Sequence, residues 1–381
     1  MPCSVFVLLH IREREVNMDN EKINDARFMA RCLTLARMGA GQTAPNPMVG
    51  AVVVHAGRII GEGFHRAYGG PHAEVNAIAA VRDASLLPAS TLYVSLEPCS
   101  HQGKTPPCTE LILRTGIRRV VVACTDPFPA VSGRGIRRLR EAGVEVTTGV
   151  LEAEARRLNR FFLTAQTACR PYIILKWAES ADGFIDRRRS IAAVPAEPAV
   201  RLSDAVSTRA VHCLRAEVGA IMVGARTAML DDPLLTVRHW VGANPMRILL
   251  DYEGNVSGDL HLFDGAAPTL VFTANQSATL PTPLHPSVEL LHLDASLPAL
   301  PQILRVLHER RIDSLLVEGG AYLHGLFIDS GLWDEARIET TSLRLGDGVR
   351  AADLRSHGGA IWQRDLYVTP DRRISVYLHT P

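Results

Sequence analysis

The stretch Thr91-Leu92-Tyr93-Val94-Ser95-Leu96-Glu97-Pro98-Cys99-Ser100-His101-Gln102-Gly103-Lys104-Thr105-Pro106-Pro107-Cys108 decides how the first half of the chain is read. It opens as a strand, passes a Pro-Cys pair and closes on a second cysteine at the start of a helix predicted over 109–115, which Gly116 stops. Upstream, His72-Ala73-Glu74 opens a helix predicted over 72–81. One histidine and two cysteines supply three ligands for a tetrahedral zinc ion and leave the fourth position to water. Two thiolates neutralise the divalent charge, and such an ion still lowers the pKa of its water. Glu74 is then placed to move protons rather than to bind metal. A lone histidine or buried cysteine is usually packing. The order His-x-Glu, Pro-Cys, Cys, each at or beside a predicted helix start, favours the metal. A purely structural site would want a fourth ligand, and His101 leaves that alternative open.

Outward from these motifs, strands alternate with helices. A helix over 24–38 carries Phe28, Met29, Cys32 and Leu33 at helical spacing. A strand over 49–55 turns at Gly57-Arg58 into another near Ile59-Ile60. A strand over 119–124, a helix over 136–142, a strand over 144–148 and a helix over 152–167 follow. This is an α/β layered domain with a largely parallel sheet. A boundary falls at Cys169-Arg170-Pro171, where a new strand begins at Tyr172. Further strands over 220–223, 247–250, 269–272 and 314–317, and a helix over 301–310, repeat the α/β style without an internal repeat. Pro281 to Pro286 reads as a surface loop.

The 381 residues suit two or three domains. With 47% hydrophobic and 21% charged residues, the chain is ordinary globular material and not a disordered or collagen-like one. Lys and Arg number 41 against 40 Asp and Glu, so no basic footprint argues for nucleic acid. Seven cysteines are too few and too scattered for a disulfide framework, which points to a reducing, cytoplasmic compartment. No window approaches 18 apolar residues, so no membrane span is expected. Residues 1–17 read as a poorly structured extension rather than a signal peptide, with Met18 a plausible alternative start. Residues 18–168 and 169–381 are the two expected domains.

In the second domain, the strand ending Leu175-Lys176 runs into Trp177-Ala178-Glu179-Ser180-Ala181-Asp182-Gly183. Strand ends with small residues are where an α/β sheet makes its ligand crevice. The segment from Gly224 to Arg238 follows another strand, and Val317-Glu318-Gly319-Gly320 joins a strand to a helix. Such glycines let backbone amides approach a phosphate, although a tight turn is the simpler reading of the pair alone. No G-x-G-x-x-G stands where an ordinary dinucleotide fold would have it.

The H-x-E, P-C, C order is that of zinc-dependent hydrolytic deaminases, but with eight residues between the cysteines in place of the compact P-C-x-x-C. With Pro45-Asn46-Pro47-Met48-Val49-Gly50, Asp126-Pro127 and Gly133-Arg134-Gly135, it resembles the pyrimidine deaminase half of the bifunctional riboflavin-biosynthesis deaminase/reductases. The motifs K-x-A-x-S-x-D-G, T-x-x-x-D-D-P-x-L-T-V-R and V-E-G-G resemble the reductase half. The resemblance implies a cytidine-deaminase-like three-layer α/β/α domain followed by a dihydrofolate-reductase-like α/β domain. It implies zinc at His72, Cys99 and Cys108, Glu74 as proton shuttle, and Asn46, His101 and Lys104 facing the substrate. It sets Ala178, Thr227, Asp231 and the run Gly320, Ala321, Tyr322, Leu323, His324, Gly325, Leu326 against NADPH. Arg215, Leu235, Arg238 and Glu318 would face the ribose phosphate. The implied reactions are deamination of a diaminopyrimidinone ribosylamine phosphate, then reduction of its ribosyl group to ribityl. The expected partner is a phosphorylated small molecule, with no nucleic acid or membrane, and the chain would form a homodimer or larger homo-oligomer.

Two departures stand out. Where the family has a Q-W-I-[ST] element touching the cofactor, this chain has Val200-Arg201-Leu202-Ser203. The tail carries Glu335-Ala336-Arg337-Ile338-Glu339-Thr340 where an apolar strand is more usual. The missing tryptophan leaves open a deaminase with a degenerate reductase, and the zinc motif alone also admits a nucleic-acid or nucleoside deaminase.

Overall fold

Branched residues fill the strands of the first unit, where both faces of the sheet are covered. The computed structural model describes residues 20–100, 106–127, 132–192, 197–280, 285–354 and 359–380. The described chain divides between Cys169 and Arg170 into two compact units. The extension over 1–17 lies outside the described residues.

In the first unit, β1 (Gly50–His55), β2 (Arg58–Phe64), β3 (Thr91–Val94), β4 (Arg119–Val122) and β5 (Glu145–Thr148) form one sheet in the order β2-β1-β3-β4-β5. Only β3, β4 and β5 are mutually parallel; β1 runs antiparallel to both β2 and β3. The expected parallel sheet is therefore half realised. The reason is local. Ala56 and Gly57 both have positive φ (47° and 74°), the two-residue turn that closes an antiparallel hairpin. Val53 joins a core with α2 (Ala73–Ala79), α3 (Cys108–Arg114) and α4 (Arg134–Glu141). Val52 and Val54 face a second core with α1 (Asn20–Ala36) and α5 (Glu152–Leu158). Strand alternation thus separates two helical layers, giving α/β/α.

The helix expected over 152–167 breaks at Asn159 into α5 and α6 (Arg160–Ala168). The buried Asn159 amide accepts from Met48 N at 2.8 Å and donates to Met48 O at 2.9 Å. It thereby pins the chain just after Asn46-Pro47.

In the second unit nine strands form one sheet. Six introduced in chain order are β6 (Tyr172–Glu179), β8 (Ala220–Gly224), β9 (Met246–Leu250), β10 (Thr269–Thr273), β11 (Val288–His292) and β12 (Ser314–Val317). With β13 (Glu335–Thr341) they are parallel, in the order β11-β10-β9-β8-β12-β6-β13. The antiparallel pair β15 (Ala360–Thr369) and β16 (Arg372–His379) completes the β13 edge. A separate short pair joins β7 (Phe184–Asp186) to β14 (Val349–Arg350). Helices α7 (Ala205–Glu217), α8 (Ala225–Asp231), α9 (Ala299–Glu309) and α10 (Ala321–Asp329) connect the strands. Ile173, Leu175, Trp177, Ile303, Phe327 and Trp333 lie in the main core. Among the described residues no helix is long and apolar enough to cross a membrane.

The polar tail strand now has an account. Glu335 and Glu339 are buried in β13, and each is matched. Glu335 pairs with Arg337 at 2.5 Å and accepts from the Tyr172 hydroxyl. Glu339 pairs with Arg372 of β16 and accepts from Ser203 Oγ at 2.6 Å. Arg372 also donates to Leu202 O at 3.1 Å. The two departures seen in the sequence therefore meet: the charged strand grips the 200–203 segment. Removing one partner of a buried pair strands the other charge, so Glu339→Ala is expected to destabilise the chain by about 3 kcal/mol. Chemical denaturation checks this; an unchanged midpoint would contradict the pairing.

Candidate metal centre and cofactor cavity

Two of the three metal-ligand candidates, His72 and Cys108, sit where a helix begins, and Cys99 lies in the loop after β3. His72 is the N-cap of α2, Glu74 lies in that helix's first turn, and Cys108 is the first residue of α3. Close packing of the glycines sets this up. A Cβ on Gly63 of β2 would lie 2.3 Å from Ala77 N, so only glycine lets α2 rest on the strand. A Cβ on Gly135 of α4 would lie 2.1 Å from Pro98 O, which brings that helix start against the Glu-Pro-Cys turn.

His72 Nδ1 lies 3.5 Å from Cys99 Sγ and 3.3 Å from Cys108 Sγ. All three ligand atoms fall within 4.8 Å of one another. Cys99 Sγ accepts from Cys108 N at 3.3 Å, an amide of the first turn of α3. The Cys108 thiol donating to Cys99 holds Cys99 down to about 4 and pushes Cys108 up. One nitrogen and two sulfurs converging in this way fit a zinc ion with one open position. Glu74 is buried beside them, and burial raises its carboxyl to about 7. A cation at the cluster would draw it down again.

Asn46 Nδ2 lies 3.2 Å from His65 Nε2, and His65 meets the His72 ring edge-on at 5.7 Å between centroids. Asn46 thus joins the centre through His65, a residue the motif reading did not single out. Nor did it single out the role of Glu97. Its buried carboxylate accepts from the amides of Asp126, Gly133, Gly135 and Ile136 at 2.9–3.3 Å. His101 and Lys104 lie outside the described residues.

In the second unit a cavity of about 670 Å³ opens at the carboxyl ends of β6, β8, β9 and β12. Ala178, Thr227, Asp231, Glu318 and residues Gly320 to His324 line it. Gly325 and Leu326 do not; Leu326 packs against the core. Gly320 has φ +47°, and a Cβ there would reach within 3.1 Å of Thr227 Oγ1, so the bare backbone shapes the wall. His324 Nε2 lies 3.0 Å from Val317 O, while its buried Nδ1 has no protein partner and is left as an acceptor. A large cavity with a glycine cradle and an unpartnered buried ring nitrogen fits a dinucleotide.

Arg215, Leu235 and Arg238 lie behind Glu318 rather than on the cavity wall. Arg215 is buried, and its fork closes on Glu318 at 2.9 and 2.7 Å. Burial pushes the Glu318 carboxyl up, but the charge and hydrogen bonds of Arg215, with the nearby Lys176 and His212, together hold it below its ordinary value. Arg215 also donates to Thr236 O, and Arg238 to Thr236 Oγ1 at 3.0 Å. Leu235 is buried between them in sequence, with φ +50°. Asp231 is gripped by the buried Arg189, which also pairs with Asp186 at 2.6 Å.

Two family models match the chain: the cytidine and deoxycytidylate deaminase zinc-binding region over 22–124, and the RibD C-terminal domain over 171–358. The riboflavin biosynthesis protein RibD of Aquifex aeolicus is 41% identical over 332 residues, covering 87% of this chain and 90% of that protein. RibD of Bacillus amyloliquefaciens is 41% identical, covering 89% and 90%. The crystal structure of a Thermotoga maritima diaminohydroxyphosphoribosylaminopyrimidine deaminase/5-amino-6-(5-phosphoribosylamino)uracil reductase superposes with a TM-score of 0.84. It is 38% identical and covers 94% of this chain and all of that one.

Burial holds His324 down to about 4, below its ordinary 6.5. Between those values the unfolded chain binds the proton first, so stability falls as pH drops through the window. His324→Asn is expected to flatten the decline between pH 6.5 and 4.5, measured by urea denaturation; an identical slope would contradict a neutral buried His324.

Proposed function

From the premise that this chain belongs to the RibD family of bifunctional riboflavin-biosynthesis deaminase/reductases, we propose how its residues divide two successive reactions. Residues 18–168 deaminate 2,5-diamino-6-(5-phosphoribosylamino)pyrimidin-4(3H)-one, and residues 169–381 reduce the ribosyl group of the product to ribityl. The observation that carries the first assignment is the convergence of His72, Cys99 and Cys108 beside buried Glu74.

His72, Cys99 and Cys108 hold the zinc ion. When bound, zinc supplies a Lewis acid that makes water nucleophilic near neutral pH. Glu74 accepts the water proton at its carboxylate and passes it to the departing amine, a transfer served by a group held dry beside the reacting atoms. Asn46, with His101 and Lys104, orients the pyrimidine. In the reductase half, NADPH supplies hydride when bound. Ala178, Thr227, Asp231 and the run from Gly320 to His324 hold the cofactor, and Arg189 fixes Asp231 for that task. Glu318 faces the ribose side of the cavity, braced by Arg215 behind it. The Arg215–Glu318 pair sets the position of the carboxylate there. The protein contributes orientation more than chemistry in this step.

The chain works as a cytoplasmic enzyme and assembles as a homodimer or larger homo-oligomer. Exposed Ile361, Trp362, Leu366 and Val368 along edge strand β15 support self-association.

Two outcomes follow. Glu74→Ala abolishes ammonia release while leaving NADPH oxidation with supplied deaminated product intact; deamination at the wild-type rate would refute the proton-shuttle role. Wild-type protein carries about one zinc per chain, because its three protein ligands converge on a single site, and Cys108→Ser loses most of it by elemental analysis. Retained zinc in that variant would mean the ion sits elsewhere.

A further inference from the structure

The reductase cavity has five cationic side chains on its wall: Lys176, Arg187, Arg189, Arg201 and Arg226. Three are accounted for. Arg189 is paired with Asp186 and Asp231, and Arg226 donates to Arg189 O. Lys176 lies near enough to Glu318 to lower its pKa. Arg187 and Arg201 remain. Both are exposed to the cavity, and among the described residues neither guanidinium has a hydrogen bond or ion pair.

Among the described residues neither arginine pairs with a carboxylate of the wall: Asp186 and Asp231 are held by Arg189, Glu318 by Arg215, and the exposed Glu253 has no ion pair with either. Asp186 Oδ1 accepts from Arg187 N at 2.8 Å and from Val200 N at 3.0 Å, while Oδ2 pairs with Arg189. One carboxylate oxygen thus draws the backbones of Arg187 and Arg201's neighbour together, and its charge is spent on Arg189. Asp251 of the same wall accepts three amides, from Gly254, Asn255 and Val256.

The backbone at Arg201 is held on both sides. Val200 N is tied to Asp186, Leu202 O accepts from Arg372, and Ser203 Oγ donates to Glu339. Ordering a chain segment before binding lowers the entropy lost when a ligand arrives. Two forked cations on one cavity wall, neither of them paired with a protein carboxylate, suit a phosphate ester.

We propose that Arg187 and Arg201 form a phosphate-binding subsite of the reductase cavity, separate from the Arg215–Arg238 group behind Glu318. Arg201 thereby turns the departure from the family's tryptophan into a charged contact. The inference rests on the assignment of this cavity to NADPH and a phosphorylated substrate. Three phosphates meet that chemistry: the 2′-phosphate of NADPH, its diphosphate, and the 5-phosphate of the substrate.

The test measures dissociation constants for NADPH and NADH by nicotinamide fluorescence on the full chain, and KM for the phosphorylated substrate. Wild type is compared with Arg187→Ala, Arg201→Ala, the double variant and Arg201→Lys. Loss of a charge-assisted contact is expected to cost roughly tenfold. Weaker NADPH with unchanged NADH assigns the 2′-phosphate; weakening of both assigns the diphosphate. Unchanged cofactor binding with a raised KM assigns the substrate phosphate. Each supports the subsite, and Arg201→Lys is expected to recover part of the loss because it restores the charge. It also serves as the test variant should an alanine variant fail to fold. Cofactor binding and KM within twofold of wild type in every folded variant would overturn the proposal. A wild-type chain that binds no NADPH would instead overturn the cavity assignment on which it rests.

Discussion

Three ligand atoms brought within 4.8 Å of one another are the constraint on which the first unit is built. Two thiols and an imidazole do not pack so closely for hydrophobic reasons; their proximity is useful only to a cation. Much of the unit's geometry serves that convergence. Glycines in β2 let α2 settle on the sheet and deliver His72 and Glu74 from one helix start. Glu97, two residues before Cys99, ties the Glu-Pro-Cys turn to the start of α4 through three amides, and accepts a fourth from Asp126. A carboxylate at a helix N-terminus satisfies donors that would otherwise be orphaned, and favours the dipole as well. The glutamate of the Glu-Pro-Cys turn is thus a structural clamp on that loop, while Glu74 is the carboxylate buried beside the three ligand candidates.

The second unit solves a different problem, which is to hold a large cavity open at the end of a parallel sheet. Its solution is ionic. Arg189 spans Asp186 and Asp231, Arg215 closes on Glu318, and Arg372 joins Glu339 to the 200–203 segment. Each links elements far apart in sequence. Buried pairs contribute little net stability but specify which arrangement is adopted, because any other leaves a charge unpaired. The Arg189 pairs with Asp186 and Asp231 lie on the cavity wall itself, while Arg215 braces Glu318 from behind it.

Much of this was legible in the sequence, for physical reasons. The strands over 220–223, 247–250, 269–272 and 314–317 are short apolar runs bounded by turns, which is how buried parallel strands read. The metal residues were legible because their chemistry requires a particular set at helix starts. What could not be read was long-range pairing. Asn159 breaks an apparently continuous helix because its amide is needed at Met48, 111 positions away. The strand–turn–strand over 49–60 was legible, but the positive φ of Ala56 that closes it was not, since alanine rarely adopts it. Glu335 and Glu339 looked misplaced in a strand until Arg337, Tyr172, Ser203 and Arg372 appeared beside them. His65 carried no motif, and only proximity to Asn46 and His72 reveals it.

The account stands on a zinc ion held by one imidazole and two thiolates with a position left open. X-ray absorption at the zinc edge on the purified protein reads that shell directly. The expected result is two sulfurs at about 2.3 Å and two nitrogen or oxygen atoms at about 2.0 Å. A shell of four sulfurs, or one with no sulfur, would contradict it.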